Sequence, residues 1–219
     1  MTRAQARAQR VRPATPDGSS GRNEGRRVDS RATRRRLLTA LRRLLDHGHA
    51  GVTLQTVAEE AGVSTATAYR YFGSAEEAVL AYILEFPDEV AAAFAEREQG
   101  EGGLARLASW CETWIGLIDE GWGASLVYLR SPEGFLDRRA EGEPVISAVC
   151  RHVEPLMCEA LEELVMSEES LDVALFLWNA IYDPREILDL RRTLHWTRAR
   201  IEQGLWGMFL GSLYGYANR

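Results

Sequence analysis

The sequence predicts an all-α fold, with a bundle of short helices at the front and a larger helical region behind it. Three observations carry this. Apolar residues recur at helical spacing along most of the chain, and no segment alternates apolar and polar residues long enough to make a strand. Ser, Thr, Asp, Gly and Pro fall where helices of that spacing would start and stop. The 219 residues and 46% apolar content suit one compact domain, or a small module with a larger one.

Residues 1–29 hold Arg3, Arg7, Arg10, Arg12, Arg22, Arg26 and Arg27 with Pro13, Pro16 and no aromatics, a composition that reads as a flexible arginine-rich arm. Order is expected from Asp29 or Ser30. Leu37, Leu38, Leu41, Leu44 and Leu45 then mark a helix ending near His47-Gly48. Thr53 caps a short helix to Ala61, Gly62 makes a turn, and Ser64 caps a helix through Tyr71-Phe72. After Gly73, Ser74-Ala-Glu-Glu77 reads as a capping box opening a longer helix through Val79, Leu80, Ile83 and Phe86. Further helices are expected at about 104–120 and 124–130. Another starts at Pro144, with Pro155 kinking or splitting it. A helix from Ser167-Glu-Glu169 to Tyr182, one opened by Asp183-Pro-Arg-Glu186, and one over about 197–213 complete the chain.

The net charge of −6 conceals a split. All 26 basic residues are arginine; residues 1–80 hold 14 of them against 8 acids (+6), and residues 81–219 hold 12 against 24 (−12). A basic front meets a polyanion; an acidic rear does something else. No apolar run approaches the ~18–20 residues of a membrane span, and the basic N-terminus lacks the apolar stretch of a secretory signal. Cys111, Cys150 and Cys158 fit no zinc spacing and suit a reduced, cytoplasmic chain. His47 with His49, Cys150 with His152, and His195 have no partner at metal or triad spacing, so no catalytic residue, metal or cofactor is expected.

Residues 53–72 form a helix-turn-helix pattern. Ala58 and Ala61 are small where the helices cross, and Gly62-Val63 is a tight turn. Ser64, Thr65, Ala66, Thr67 and Ala68 give the second helix a short-chained polar face able to enter a major groove, with Thr67 and Tyr71 one turn apart. Residues 34–83 resemble the N-terminal domain of TetR-family transcriptional regulators. The matching run is Thr53-Leu-Gln-Thr-Val-Ala-Glu-Glu-Ala-Gly-Val-Ser-Thr-Ala-Thr-Ala-Tyr-Arg-Tyr-Phe72, followed by Gly-Ser-Ala-Glu-Glu-Ala-Val-Leu80. Tyr71 stands where that family usually has histidine, and Ala75 where it commonly has a phosphate-binding lysine.

The resemblance implies a DNA-binding domain over 30–75 and a helical ligand-binding and dimerisation domain over 76–219. It implies that Thr53 and Tyr69 bind phosphates. Gln55 starts the supporting helix, close to the backbone or a base edge; Ser64, Thr65, Ala66, Thr67 and Tyr71 belong to the groove-facing helix, and Arg70 meets a phosphate or a guanine. The arginine arm either enters a minor groove or is a solvated tail that raises non-specific affinity. The expected partner is a double-stranded, palindromic operator bound by a homodimer.

In the last helix Gly204, Gly207, Gly211 and Gly215 make one stripe beside Met208. Each interior glycine costs roughly 1 kcal/mol against alanine, which makes sense if another helix must approach closely. As in TetR-family proteins, this reads as a dimer interface with the helix at 168–182; packing within one chain is the other reading. Trp110 and Trp114 lie one turn apart near Ile118, Trp122 and Trp178. These five either line a cavity for a hydrophobic or aromatic ligand or form ordinary core. Glu112, Asp119 and Glu120 beside them suit a cationic ligand or a solvated surface. The function expected is a repressor released from its operator by a small hydrophobic ligand. Two rivals stand beside it: a regulator governed by a protein partner, favoured by a solid core around Trp110 and Trp114, and an enzyme on a helical scaffold.

Overall fold

The computed structural model describes residues 19–46, 51–97, 100–126 and 133–217, all helix or connecting turn with no strand among the described residues. The chain forms two units, Met1–Arg36 and Leu37–Arg219. Helix α1 (Ser19–Asp46) starts well before the expected Asp29 or Ser30. No proline follows Pro16 until Pro87, and Arg, Glu and Ala propagate a helix once its leucine end is docked. Leu37, Leu38, Leu41 and Leu45 form that docked end and are fully or nearly buried. The remainder of the expected arm, and the histidines at 47 and 49, lie outside the described residues.

Helices α2 (Leu54–Ala61) and α3 (Thr65–Tyr71) follow, with Leu54, Val57, Ala58, Ala61, Ala68 and Phe72 turned inward. The single long helix expected after Ser74 is two. Helix α4 (Ala75–Ile83) ends at Leu84, and α5 (Phe86–Ala95) begins with Pro87 in its first turn. A proline there cannot donate to the carbonyl a turn back, which ends the ladder.

The rear helices are α6 (Gly103–Leu117), α7 (Gly123–Leu126), α8 (Phe135–Ala140), α9 (Pro144–Glu163), α10 (Leu171–Ile181), α11 (Pro184–Arg192) and α12 (Arg198–Ala217). The expected helix at 124–130 is seen to Leu126, its remainder lying outside the described residues; α8 was not anticipated. Helix α6 packs along α9, and a Cβ on Gly103 would sit 2.3 Å from the Glu159 carbonyl. Glu163 of α9 accepts the Leu104 amide at 3.0 Å and so caps α6 from the neighbouring helix. Pro155 does not split α9, which runs through it unbroken, held by Val153, Leu156, Met157 and Ala160 in the core.

At its C-terminal end α6 passes into a π-helical turn, Ile118–Trp122, in which Gly121 takes φ 137°. That turn buries Trp122, stacked on Tyr82 of α4 at 4.4 Å, with Arg42 of α1 5.9 Å from its ring and its indole N–H donating to Glu89 of α5 at 2.8 Å. One core runs without a break from Leu37 to Leu213, so the front and rear helices of Leu37–Arg219 share it.

Candidate nucleic-acid interface and effector cavity

The front site is built from caps. The Thr53 hydroxyl accepts the Thr56 amide at 3.2 Å while the Thr56 hydroxyl accepts the Thr53 amide at 3.1 Å, closing a reciprocal box at the start of α2. Gly62 ends α2 at φ 65°, ψ 39°, a left-handed conformation that a side chain resists. The Ser64 hydroxyl then accepts the Thr67 amide at 3.1 Å and lies 2.8 Å from the Thr67 hydroxyl. Ser74 caps α4 by accepting the Glu77 amide; Glu77 reaches back past Ser74 to the Gly73 amide at 2.6 Å, so the expected box closes one residue early. Glu76, on the same first turn, is fully exposed; its own backbone amide and the Ser74 hydroxyl hold its carboxyl below the ordinary range.

This scaffold fixes what faces outward. Thr53, Gln55, Ser64, Thr65, Ala66, Tyr69 and Arg70 are exposed, and Thr67 and Tyr71 are half-buried; all nine sequence-predicted residues lie on or beside the α2–α3 pair. Tyr69 is 58% exposed, an uncommon state for a tyrosine with no packing duty. The Arg70 guanidinium lies 5.4 Å from the Tyr71 ring. Gln55 spends its amide on Glu59 at 3.2 Å, and Thr67 shares its hydroxyl with Ser64, so both enter any complex already engaged.

The rear holds a cavity of about 90 Å³ lined from α4, α5, α6, α7, α8, α9, α10 and α11. Its apolar wall includes Ile83, Phe86, Trp114, Val145, Val149 and Trp178, and its polar wall is Arg138, Asn179, Asp183 and Arg185. Of the five predicted ligand residues, Trp114 and Trp178 reach this cavity, packed edge to face at 5.0 Å. Trp114 is oriented by its N–H, which donates to the Tyr182 carbonyl at 3.0 Å. The other three pack elsewhere in the core: Trp110 against Phe94 and His152, Ile118 and Trp122 in the π-turn. The carboxylates expected beside them pair outward, Glu112 with Arg97, Asp119 with Arg191 and Glu120 with Arg198.

That Arg138 and the Asp183–Arg185 pair line one cavity escaped sequence reading, because nothing local brings a residue of α8 beside one of α11. Asp183 caps α11 through the Arg185 amide at 2.8 Å. Burial pushes its carboxyl up, but the Arg185 side chain and amide outweigh that and hold it below the usual range. Cys111 is buried, which pushes its thiol up to about 12, with Trp178 and Tyr182 facing the sulfur. His152 bonds Asp88 at 2.9 Å. No group of His, Cys, Asp and Glu able to hold a metal occurs among the described residues.

Helix α12 buries one face, Ile201, Leu205, Phe209 and Leu213, and leaves the other open. A Cβ added at Gly207, Gly211 or Gly215 would meet nothing within 4 Å, so packing within the chain does not require those glycines; Gly204 lies 3.3 Å from Trp196 by the same measure. Met208 is 57% exposed, and Phe176 of α10 is also exposed. Within one chain, then, α12 is buried on one face only. No described helix is long and apolar enough to cross a membrane.

Residues 37–82 match the family described as bacterial regulatory proteins, tetR family. No curated protein matches the chain. Among solved structures, the fatty acid degradation regulator FadR from Bacillus halodurans is similar at TM-score 0.61 and 16% identity, over 82% of this chain and 95% of that one. FadR from Bacillus subtilis, in complex with stearoyl-CoA, gives 0.59 and 14% over 80% and 96%. A transcriptional regulator from Rhodococcus gives 0.57 and 18% over 85% and 98%. At such identities the likeness is one of fold.

Proposed function

We propose that this chain, which carries the N-terminal domain of the TetR family of bacterial regulatory proteins over residues 37–82, is a repressor that binds a palindromic operator as a homodimer. The observation that supports it most is the α2–α3 pair: two helices locked by local caps, presenting Thr65, Ala66, Thr67, Tyr69, Arg70 and Tyr71 to solvent. Tyr69, Arg70 and Thr53 hold phosphates and set register; the short side chains of α3 read base edges and thymine methyls. With no Asn or Gln on α3 for bidentate adenine contacts, part of the selectivity rests on DNA shape. The arginines ahead of Leu37, those at the start of α1 included, add sequence-independent affinity.

Two copies meet through the open face of α12, where Gly207, Gly211 and Gly215 let a second helix approach and Met208 fills the contact, with α10 beside it. Release is set by the cavity. Ile83, Phe86 and Pro87 belong both to its wall and to α4–α5, and α4 follows α3 after only Phe72, Gly73 and Ser74. A ligand that favours one placement of α4 over another changes the spacing of the two recognition helices, and affinity for a fixed half-site spacing falls. Such a protein works in the bacterial cytoplasm, without cofactor or catalysis. Operator affinity measured with and without a bound effector tests the reading: a fall is expected, and no change with a ligand demonstrably in the cavity overturns the release step.

A further inference from the structure

The polar wall of the rear cavity is unequally satisfied. Two guanidiniums and one carboxylate line it. Asp183 is committed to Arg185, accepting its Nε at 2.9 Å and its Nη2 at 2.5 Å, so these two groups neutralise each other. Arg138 is ion-paired as well, with Glu143, but one of its donors is left over. Its Nη2 reaches Glu143, outside the lining, at 3.2 Å, and Glu143 at the same time accepts the Ile146 amide at 2.9 Å to start α9. The Nε of Arg138 is buried with no partner. A buried charged donor left unpaired is costly, and an acceptor from a ligand removes that cost. The guanidinium edge is a planar fork whose match is a carboxylate.

Size restricts the remainder. The cavity of about 90 Å³ is smaller than the ~150 Å³ that takes up a benzene ring in an engineered apolar cavity. A short branched chain is nearest to that size, a ring needs the wall to yield, and a long acyl chain is far larger. We infer that the effector is a small apolar monocarboxylate, of benzoate size or below, with its carboxylate on Arg138 and its body against Phe86, Trp114 and Val149. This rests on the cavity being the effector site of the regulator.

The test uses the full chain, with benzoate and isobutyrate as probes. Benzyl alcohol and isobutanol serve as neutral counterparts, and stearoyl-CoA as the long-chain comparison. Calorimetry and thermal shift should show the two acids binding at least tenfold more tightly than their alcohols. Arg138→Gln should remove that preference tenfold or more, with Arg138→Lys retaining part of it. Equal binding of acid and alcohol, tight binding of stearoyl-CoA without the acids, or an undiminished acid preference in Arg138→Gln overturns the inference. Where Arg138→Gln fails to fold, the acid–alcohol comparison on the unaltered protein decides alone. Operator binding is measured separately. Binding of DNA without response to the acids sinks this inference only, and binding of the acids without any DNA binding sinks the regulator reading only.

Discussion

The helix-turn-helix at 53–72 and the rear cavity are built on opposite plans. In the first, each decisive contact spans a few residues: Thr53 with Thr56, Gly62 with Ala58 and Glu59, Ser64 with Thr67. Its most outward candidate side chains, Tyr69 and Arg70, face water, while Thr53 and Ser64 also cap the helices that carry them. In the second, side chains from eight helices converge, and Trp114, Trp178 and Phe86 serve the core and the cavity wall at once. A recognition surface can vary without unfolding its scaffold, whereas a cavity shares its residues with the structure that surrounds it.

Substitutions can break or sharpen this contrast. The largest effect is expected from Trp122→Ala, which removes a 2%-exposed ring stacked on Tyr82 and strands Glu89 without its donor. A loss of about 3–5 kcal/mol is expected in denaturant unfolding. An equally large loss from Tyr69→Ala would erase the contrast. Tyr69→Ala should instead leave stability within about 0.5 kcal/mol while weakening DNA binding on every sequence alike. Because tyrosine carries no charge, the salt dependence should stay the same, whereas Arg70→Ala should flatten its slope by about one. Gel shifts at several salt concentrations separate the two.

A smaller change is expected at Gly62, whose left-handed backbone should make Gly62→Ala cost about 1–2 kcal/mol. The mirror experiment is Val165→Gly. Val165 holds φ 56° while 92% exposed, so glycine there should raise the melting temperature by relieving about 1 kcal/mol. The smallest effect belongs to acid. The Asp183 carboxyl is held below its ordinary value of 3.8, so its contribution is present above that value and lost as pH falls through the lower folded one. Asp183→Asn should flatten the acid limb of the stability curve.

How much could be read in advance follows the same division. Thr53, Gly62, Ser64 and Asp183 were legible as caps and turns, because a cap depends on a neighbour a few residues away. Pro144 was legible as a helix start for the same reason, while Pro87 went unread as a break and Pro155, read as a kink or a split, does not split α9. Proline in a helix costs about 3 kcal/mol, and burial of Val153, Leu156, Met157 and Ala160 offsets it in α9. Trp110, Trp114, Ile118, Trp122 and Trp178 were recognisable as a group, but which of them border a cavity was not.

The sequence by itself determined the all-helical class, the charge split and the outward face of α3, since these follow from periodicity, composition and short-range hydrogen bonds. Only the tertiary structure decided that Arg138, with its Nε unpaired, lines the cavity, that Glu112, Asp119 and Glu120 pair with arginines outside its lining, and that Gly207, Gly211 and Gly215 of α12 face open space. Those are properties of helices far apart in the chain. Packing brings them together, and no local propensity encodes which side chain meets which.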